Sequence, residues 1–138
     1  MPELKDIMTR EVEVISPDAT TADAALKMAK LDIGSIPVCD GKRLVGMLTD
    51  RDLVIRVLAP GREPKMTRIK EVMTEAMHYC YEDEDSAQAA RLMSQQQIRR
   101  LPILSRSKQL VGIVSLGDLA TRGEDAAAPG GVLKQVSS

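Results

Sequence analysis

Residues 44–53 read LVGMLTDRDL and residues 110–119 read LVGIVSLGDL, so one pattern occurs twice in the chain. Two further segments repeat in the same order and lie 65 residues apart. Asp6-Ile7-Met8-Thr9 matches Glu71-Val72-Met73-Thr74, and Ile36-Pro37-Val38 matches Leu101-Pro102-Ile103. Ordered matches of this kind indicate an internal duplication. Each copy is small for an independent core, which favours two copies packed together.

The local pattern predicts the order strand, helix, strand, strand, helix in each copy. In the first copy we expect strands at 12–15, 35–39 and 44–48, with a hairpin turn at Asp40-Gly41. We expect a first helix that is capped by Thr20, with Asp23 at N3, and that ends at Gly34. A second helix is expected over 50–58. In the second copy we expect strands at 77–81, 101–104 and 110–115, a helix capped by Asp85 with Gln88 at N3, and a short helix from Leu116.

The predicted fold class is therefore α/β (α+β), made of two tandem β-α-β-β-α repeats. A segment rich in proline, glycine and charge, residues 59–65, is typical of a linker. We predict a first repeat at 1–60, a linker at 61–67, a second repeat at 68–122 and a flexible tail at 123–138.

Composition excludes several classes of function. The 19 basic residues balance 20 acidic ones, and the chain has two Tyr and no Phe or Trp. It therefore lacks the basic excess and the stacking aromatics typical of nucleic-acid binding. No apolar stretch approaches the length of a membrane span, and the N-terminal residues do not resemble a signal peptide. Two isolated cysteines, Cys39 and Cys80, form no disulfide framework. We expect a cytoplasmic protein that binds neither nucleic acid nor membrane.

No catalytic or metal-binding motif is apparent. His78 is the single histidine, so it can assemble neither a zinc site nor a catalytic triad. The chain has no Walker loop and no nucleophile elbow. The eight methionines are spaced like core residues. We predict that the protein is not an enzyme and requires no metal. Turnover of a nucleotide that is lost in Asp118→Ala would contradict this.

Two short motifs stand where a strand is followed by a helix, Thr49-x-x-Asp52 and Ser115-x-x-Asp118. Each has the pattern of a capping box, in which the hydroxyl and the carboxylate bind each other's backbone N–H groups. A carboxylate at such a corner can also accept hydrogen bonds from ribose hydroxyls. The two interpretations are compatible, and the residues alone favour the capping box.

Arg99 and Arg100 precede the strand that contains Pro102. They form either a solvated basic corner or a phosphate clamp, because guanidinium matches the geometry of phosphate oxygens. The first repeat carries the small, neutral Gly34 and Ser35 at the matching positions.

These motifs, duplicated in order over residues 4–122, resemble a tandem pair of CBS domains. The resemblance implies pseudo-twofold symmetry, clefts between the two repeats, a flat homodimer, and an adenine ligand such as AMP, ADP, ATP, NAD or S-adenosylmethionine. It implies that the acidic residue of each motif binds ribose and that basic residues at the position of Arg99 and Arg100 reach the nucleotide phosphate. It also implies apolar adenine slots, whose lining would be Ile15, Ser16, Cys80, Tyr81 and the segments Ile36-Pro37 and Leu101-Pro102.

From this we predict a stand-alone regulatory module that binds AMP. The cleft served by Arg99, Arg100, Ser115 and Asp118 is expected to be the better site. The cleft with Ser35, Thr49 and Asp52 would be empty, weaker or suited to a less charged ligand. The family also contains pairs that bind nothing, so the alternative is an adaptor that acts through contacts with an unidentified protein partner.

Overall fold

The computed structural model describes residues 2–75 and 78–120. The chain divides into two compact units. The composite unit combines Met1–Val12 with His78–Ser138, and the continuous unit comprises Glu13–Met77. The predicted tail at 123–138 and Met77 of the predicted strand at 77–81 lie outside the described residues.

The continuous unit begins with helix α1, Thr21–Leu31. The predicted capping box is confirmed, since the Thr20 hydroxyl accepts a hydrogen bond from the Asp23 N–H at 3.1 Å. The predicted C-cap at Gly34 is wrong. The helix ends at Asp32, which adopts the left-handed conformation with φ 54°.

A two-stranded antiparallel sheet follows α1. Its strands are β1, Ser35–Asp40, and β2, Arg43–Thr49, joined by the predicted turn with Gly41 at φ 65°. Helix α2, Asp50–Leu53, continues directly into a π-helical turn, Val54–Leu58, so the helical run predicted at 50–58 is confirmed.

The predicted strand at 12–15 is wrong. Only Ile15 pairs, through an isolated parallel bridge to Val38. Its N–H donates to the Pro37 carbonyl at 3.1 Å, and its carbonyl accepts from the Cys39 N–H at 2.9 Å. Residues 12–15 do not form one strand because the chain passes from the composite unit to the continuous unit between Val12 and Glu13.

The composite unit contains a three-stranded sheet in the order β3, β4, β5. Strand β3, Cys80–Tyr81, is parallel to β4, Arg100–Leu104, which is antiparallel to β5, Leu110–Ser115. Helix α3, Ser86–Gln96, connects β3 to β4. The Asp85 side chain caps it as predicted, by accepting from the Ala87 N–H at 2.9 Å. Residues 116–120 are helical.

The compact units cut across the two sequence repeats. The opening segment of the first repeat belongs to the composite unit, where Thr9 and Ile113 exchange backbone hydrogen bonds of 2.8 and 2.9 Å. The opening segment of the second repeat belongs to the continuous unit, where Thr74 and Met47 exchange bonds of 2.9 and 2.7 Å. Each opening segment thus extends a hairpin of the other repeat. Short 3₁₀ turns accompany these segments, at Leu4–Asp6, Pro64–Met66 and Ile69–Glu71.

Each unit has its own aliphatic core. Ile36, Val38 and Leu48 are fully buried in the continuous unit, and Leu101, Ile103 and Val114 are fully buried in the composite unit. These residues occupy matching positions of the two repeats. Burial of branched aliphatic side chains of this kind supplies the main stabilisation of each hairpin against its helix. The two cores hold the strand ends that carry the candidate site residues.

Candidate functional site

The composite unit brings together three of the predicted site residues. Arg100 and Ser115 are direct cross-strand partners on β4 and β5. The Ser115 hydroxyl accepts from the Asp118 N–H at 3.0 Å, and Asp118 Oδ2 accepts from the Ser115 N–H at 3.0 Å. The predicted capping box is therefore confirmed, and it fixes the carboxylate at the junction of strand and helix. The second interpretation of Asp118, ribose binding, is compatible with this geometry.

The guanidinium of Arg100 and the carboxylate of Asp118 interact electrostatically. Burial lowers the pKa of Arg100, and the negative charge of Asp118 opposes this shift. Arg100 is half-buried, whereas Arg99 is exposed. The Arg99 carbonyl accepts a hydrogen bond from the Leu116 N–H at 3.1 Å, which joins the entry of β4 to the helix after β5. A cation and an anion thus lie together at one end of the hairpin.

The predicted adenine-slot residues of the composite unit have different surroundings. Cys80 is 2% exposed and belongs to the core, and Pro102 is buried. Tyr81 is half-buried, and its ring is covered by the Arg106 guanidinium at 4.2 Å from the ring centroid. The two carboxylate oxygens of Asp83 accept hydrogen bonds from Nε and Nη2 of that guanidinium, at 3.0 and 2.8 Å. One face of Tyr81 is therefore occupied by a protein side chain.

In the continuous unit, Ser35, Thr49 and Asp52 also come together. Ser35 and Thr49 are cross-strand partners on β1 and β2. Thr49 and Asp52 form the predicted capping box, with bonds of 3.0 and 3.1 Å. Of the remaining predicted residues, Ile15 is in the core and Pro37 is buried, whereas Ser16 is exposed and its hydroxyl accepts from the Asp18 N–H at 3.1 Å.

Sequence reasoning missed the residues that engage the Asp52 carboxylate. Its Oδ1 accepts from the Thr74 hydroxyl at 3.3 Å and lies 3.9 Å from Arg56 Nε, while its Oδ2 is used by the capping box. Asp52 is only 8% exposed. Both carboxylate oxygens therefore have partners within the protein. The repeated Met-Thr motif was the available signal for Thr74, but its role depends on the pairing of each opening segment with the hairpin of the other repeat.

A second missed residue is Asp50. A Cβ on Gly34 would lie 3.2 Å from Asp50 Oδ2, so this carboxylate covers the position that matches the start of the Arg99 side chain. The Asp50 N–H donates to the Gly34 carbonyl at 2.9 Å, the counterpart of the bond between Leu116 and Arg99. The backbones of the two sites agree, but their charges differ. The composite unit carries arginines where the continuous unit carries Gly34 and Ser35.

The two cysteines are poor nucleophiles. Burial raises the pKa of Cys39 and of Cys80 to about 11, with a smaller contribution from Glu84 at Cys80. Both groups are therefore neutral thiols at physiological pH. Within residues 2–75 and 78–120, no three His, Cys, Asp or Glu side chains are grouped so that they could hold a metal ion. The same part of the chain contains no helix of the length and apolarity that crossing a membrane requires.

Comparison with known proteins identifies the family. The family model of the CBS domain matches the chain twice, over residues 4–59 and 69–124. The chain belongs to the CBS-domain family. It is a CBS pair, and the duplication, the mixed α/β fold class and the resemblance described above are confirmed.

Relatives of this CBS pair cover almost its whole length. The CBS domain-containing protein YhcV of Bacillus subtilis is 41% identical over 137 residues, which is 99% of this chain and 96% of that protein. Hypoxic response protein 1 of Mycobacterium tuberculosis is 37% identical over 121 residues, which is 87% of this chain and 84% of that protein. The crystal structure of Hypoxic Response Protein I, with two coordinated zinc ions, has a TM-score of 0.78 and 37% identity, covering 86% of this chain and 97% of that one.

A structure of CBSX2 in complex with AMP has a TM-score of 0.79, covering 91% of this CBS pair and 98% of that chain. At 24% identity, this likeness concerns the fold alone.

Proposed function

We propose that this CBS pair is a non-catalytic regulatory module that binds an adenine nucleotide, with AMP as the first ligand to test. The observation that carries the proposal is the pairing of a half-buried arginine with a carboxylate in the composite unit. Arg100 supplies a cation for phosphate, and Asp118 supplies acceptors for ribose hydroxyls. Ser115, the cross-strand partner of Arg100, adds a hydroxyl at the same place. The AMP complex of CBSX2 supports the choice of ligand, because it is a protein of the same fold.

The two units are proposed to differ in affinity. In the continuous unit Asp50 places a negative charge beside Gly34, the position that matches Arg99. A phosphate there would meet a carboxylate instead of a guanidinium. The composite unit is therefore the proposed nucleotide site. In the continuous unit both oxygens of the Asp52 carboxylate have protein partners, which favours the second candidate function, an adaptor that binds no ligand and acts through protein contacts.

A thermal-shift measurement with AMP, ADP, ATP, NAD and S-adenosylmethionine distinguishes the two functions. A ligand present at about 100 times its Kd stabilises the folded protein by about 2.7 kcal/mol. For a chain of this size we expect a rise in Tm of about 5 °C or more with AMP. Cytidine monophosphate is the matched control, since it carries phosphate and ribose without adenine. If none of the five adenine compounds raises Tm, the nucleotide proposal fails and the adaptor function is favoured.

We further propose that the CBS pair forms a homodimer through the helices of the continuous unit. Three apolar side chains at the end of the α2 run are exposed, namely Val54 at 50%, Ile55 at 51% and Leu58 at 63%, and Leu26 on α1 is 71% exposed. Helix α3 has Arg91 at the position matching Leu26. Apolar side chains grouped in this way are typical of an association surface. A CBS-CP12 relative of 30% identity, TM-score 0.72 and 91% coverage of this chain (70% of that one) is a hexamer, so assembly occurs in the family.

Light scattering after gel filtration tests the dimer. We expect twice the chain mass for the parent protein and the monomer mass for Leu58→Glu, because a buried charge at the interface is unfavourable. Lys65→Glu, at another exposed position of the same unit, should stay dimeric. A monomeric parent protein would refute this assembly.

A further inference from the structure

A cavity of about 450 Å³ lies in the composite unit, between the start of β3 and helix α3. Such a volume is within the range of small-molecule sites. Gln88, Arg91, Leu92 and Gln95 form one wall, because their spacing places them on one face of α3. Tyr79 and Glu84 lie on the opposite side. Cys80 also lines the cavity, and of the lining residues it alone was predicted for the adenine slot.

The matching groove of the continuous unit is filled by a lysine. Lys27 Nζ donates to the Val14 carbonyl at 2.9 Å and forms an ion pair with Glu13 at 3.2 Å. Its side chain therefore reaches from helix α1 to the irregular segment that contains Glu13 and Val14. This groove therefore accommodates an ammonium group on a chain of four carbons.

The repeat places Leu92 at the position of Lys27 and Tyr79 at the position of Val14. The alignment is secure here, since Met28 and Met93 are both buried and both helices end on a left-handed residue, Asp32 and Gln97. Leucine is too short to reach the strand carbonyl and carries no charge. The composite unit thus keeps the groove but lacks the side chain that fills it.

The two sides of the cavity carry groups of opposite charge. One side is formed by Glu84, whose Oε1 accepts from the Tyr81 N–H at 3.0 Å, and by Tyr79, which matches the residue whose carbonyl binds Lys27. The helix side offers the Arg91 guanidinium flanked by the amides of Gln88 and Gln95. In the described part of the chain, Arg91 belongs to none of the ion pairs.

We propose that this cavity binds a small zwitterion, an amino acid whose ammonium replaces that of Lys27 and whose carboxylate binds Arg91. The ammonium donates to the Tyr79 carbonyl and faces the Glu84 carboxylate. The carboxylate accepts from the guanidinium in the bidentate geometry that arginine favours. Leu92 provides the apolar surface for the connecting methylenes. The cavity is a ligand site separate from Arg100 and Asp118.

The probe is 6-aminohexanoate, which has the carbon skeleton of lysine without the α-amino group. It is titrated into the full-length protein without nucleotide, and amide chemical shifts are followed by NMR. We expect saturable shifts confined to residues 79–95, with half-saturation on the order of 1 mM for so small a ligand. Hexanoate and butylamine, each with one charged end only, should bind about tenfold more weakly. Equal shifts with all three compounds, or no saturation by about 50 mM, would overturn the proposal.

Two variants test the location of the site. Leu92→Lys should fill the groove as Lys27 does and abolish binding, while Leu92→Met, of similar size and uncharged, should retain it. Arg91→Gln, at an exposed position where folding is not at risk, should weaken 6-aminohexanoate about tenfold and leave butylamine unchanged. Undiminished binding of the zwitterion in Arg91→Gln would refute the assignment even if Leu92→Lys does not fold.

Discussion

The variant Arg100→Ser is expected to bind AMP about 10- to 100-fold more weakly than the parent protein. The substitution gives the composite unit the residue that the continuous unit has at the matching position, Ser35. It removes a half-buried guanidinium beside Asp118, and a hydrogen bond to a charged group is worth about 1.5–3 kcal/mol. The Ser115–Asp118 capping box is untouched, so the helix after β5 remains anchored. Isothermal titration with AMP measures the change.

Adenosine separates a phosphate contact from a general loss of the site. It lacks phosphate, so Arg100→Ser should change its affinity by less than about twofold. Asp118→Asn should weaken both AMP and adenosine, because the carboxylate is assigned to the ribose that both contain. Arg43→Ser, at the exposed start of β2 in the other unit, is the matched control and should leave AMP affinity unchanged. An unaltered AMP affinity in Arg100→Ser would remove the basis of the proposed site.

Local sequence signals predicted the parts of the fold that depend on neighbouring residues. The capping residues Thr20 and Asp85, the turn at Gly41 and the boxes ending at Asp52 and Asp118 were all confirmed, because each rests on hydrogen bonds within three residues. The hairpin strands were placed within one residue of their observed ends. The end of α1 was wrong because Asp32 adopts the left-handed conformation two residues before the glycine that favours it.

The remaining features depend on contacts distant in sequence. Periodicity cannot show that Thr74 reaches the Asp52 carboxylate, 22 residues earlier, or that the first repeat's opening segment joins the composite unit. The predicted strand at 12–15 failed for the same reason, since its β-branched residues are divided between two units. The candidate site could therefore be located from the motifs, but the partners of the Asp52 carboxylate could not.

Gly112→Ala is expected to destabilise the protein by about 1–3 kcal/mol, although it adds one methyl group. A Cβ at this position would lie 2.5 Å from Met8 Sδ, 2.8 Å from Met8 Cγ and 3.0 Å from the Thr9 carbonyl oxygen. That carbonyl accepts a hydrogen bond from Ile113 at 2.9 Å, so it cannot move without loss of the pairing between the opening segment and β5. Urea unfolding gives the change in midpoint and slope.

Gly117→Ala is the matched control, since its Cβ would meet only the Ser115 hydroxyl, at an ordinary 3.6 Å, and alanine favours the helix that begins there. Gly46→Ala tests the same feature in the other unit, where Met73 Sδ lies 2.8 Å and the Thr74 carbonyl 2.9 Å from the added atom. A double-mutant cycle with Met8→Ala should show that the cost of Gly112→Ala falls once the sulfur is gone. Equal stabilities of Gly112→Ala and Gly117→Ala would mean that the Met-Thr motif does not pack on β5. The Met-Thr motif and the glycine recur in both repeats. In that case, close packing of the opening segment on the hairpin would not explain why they recur together.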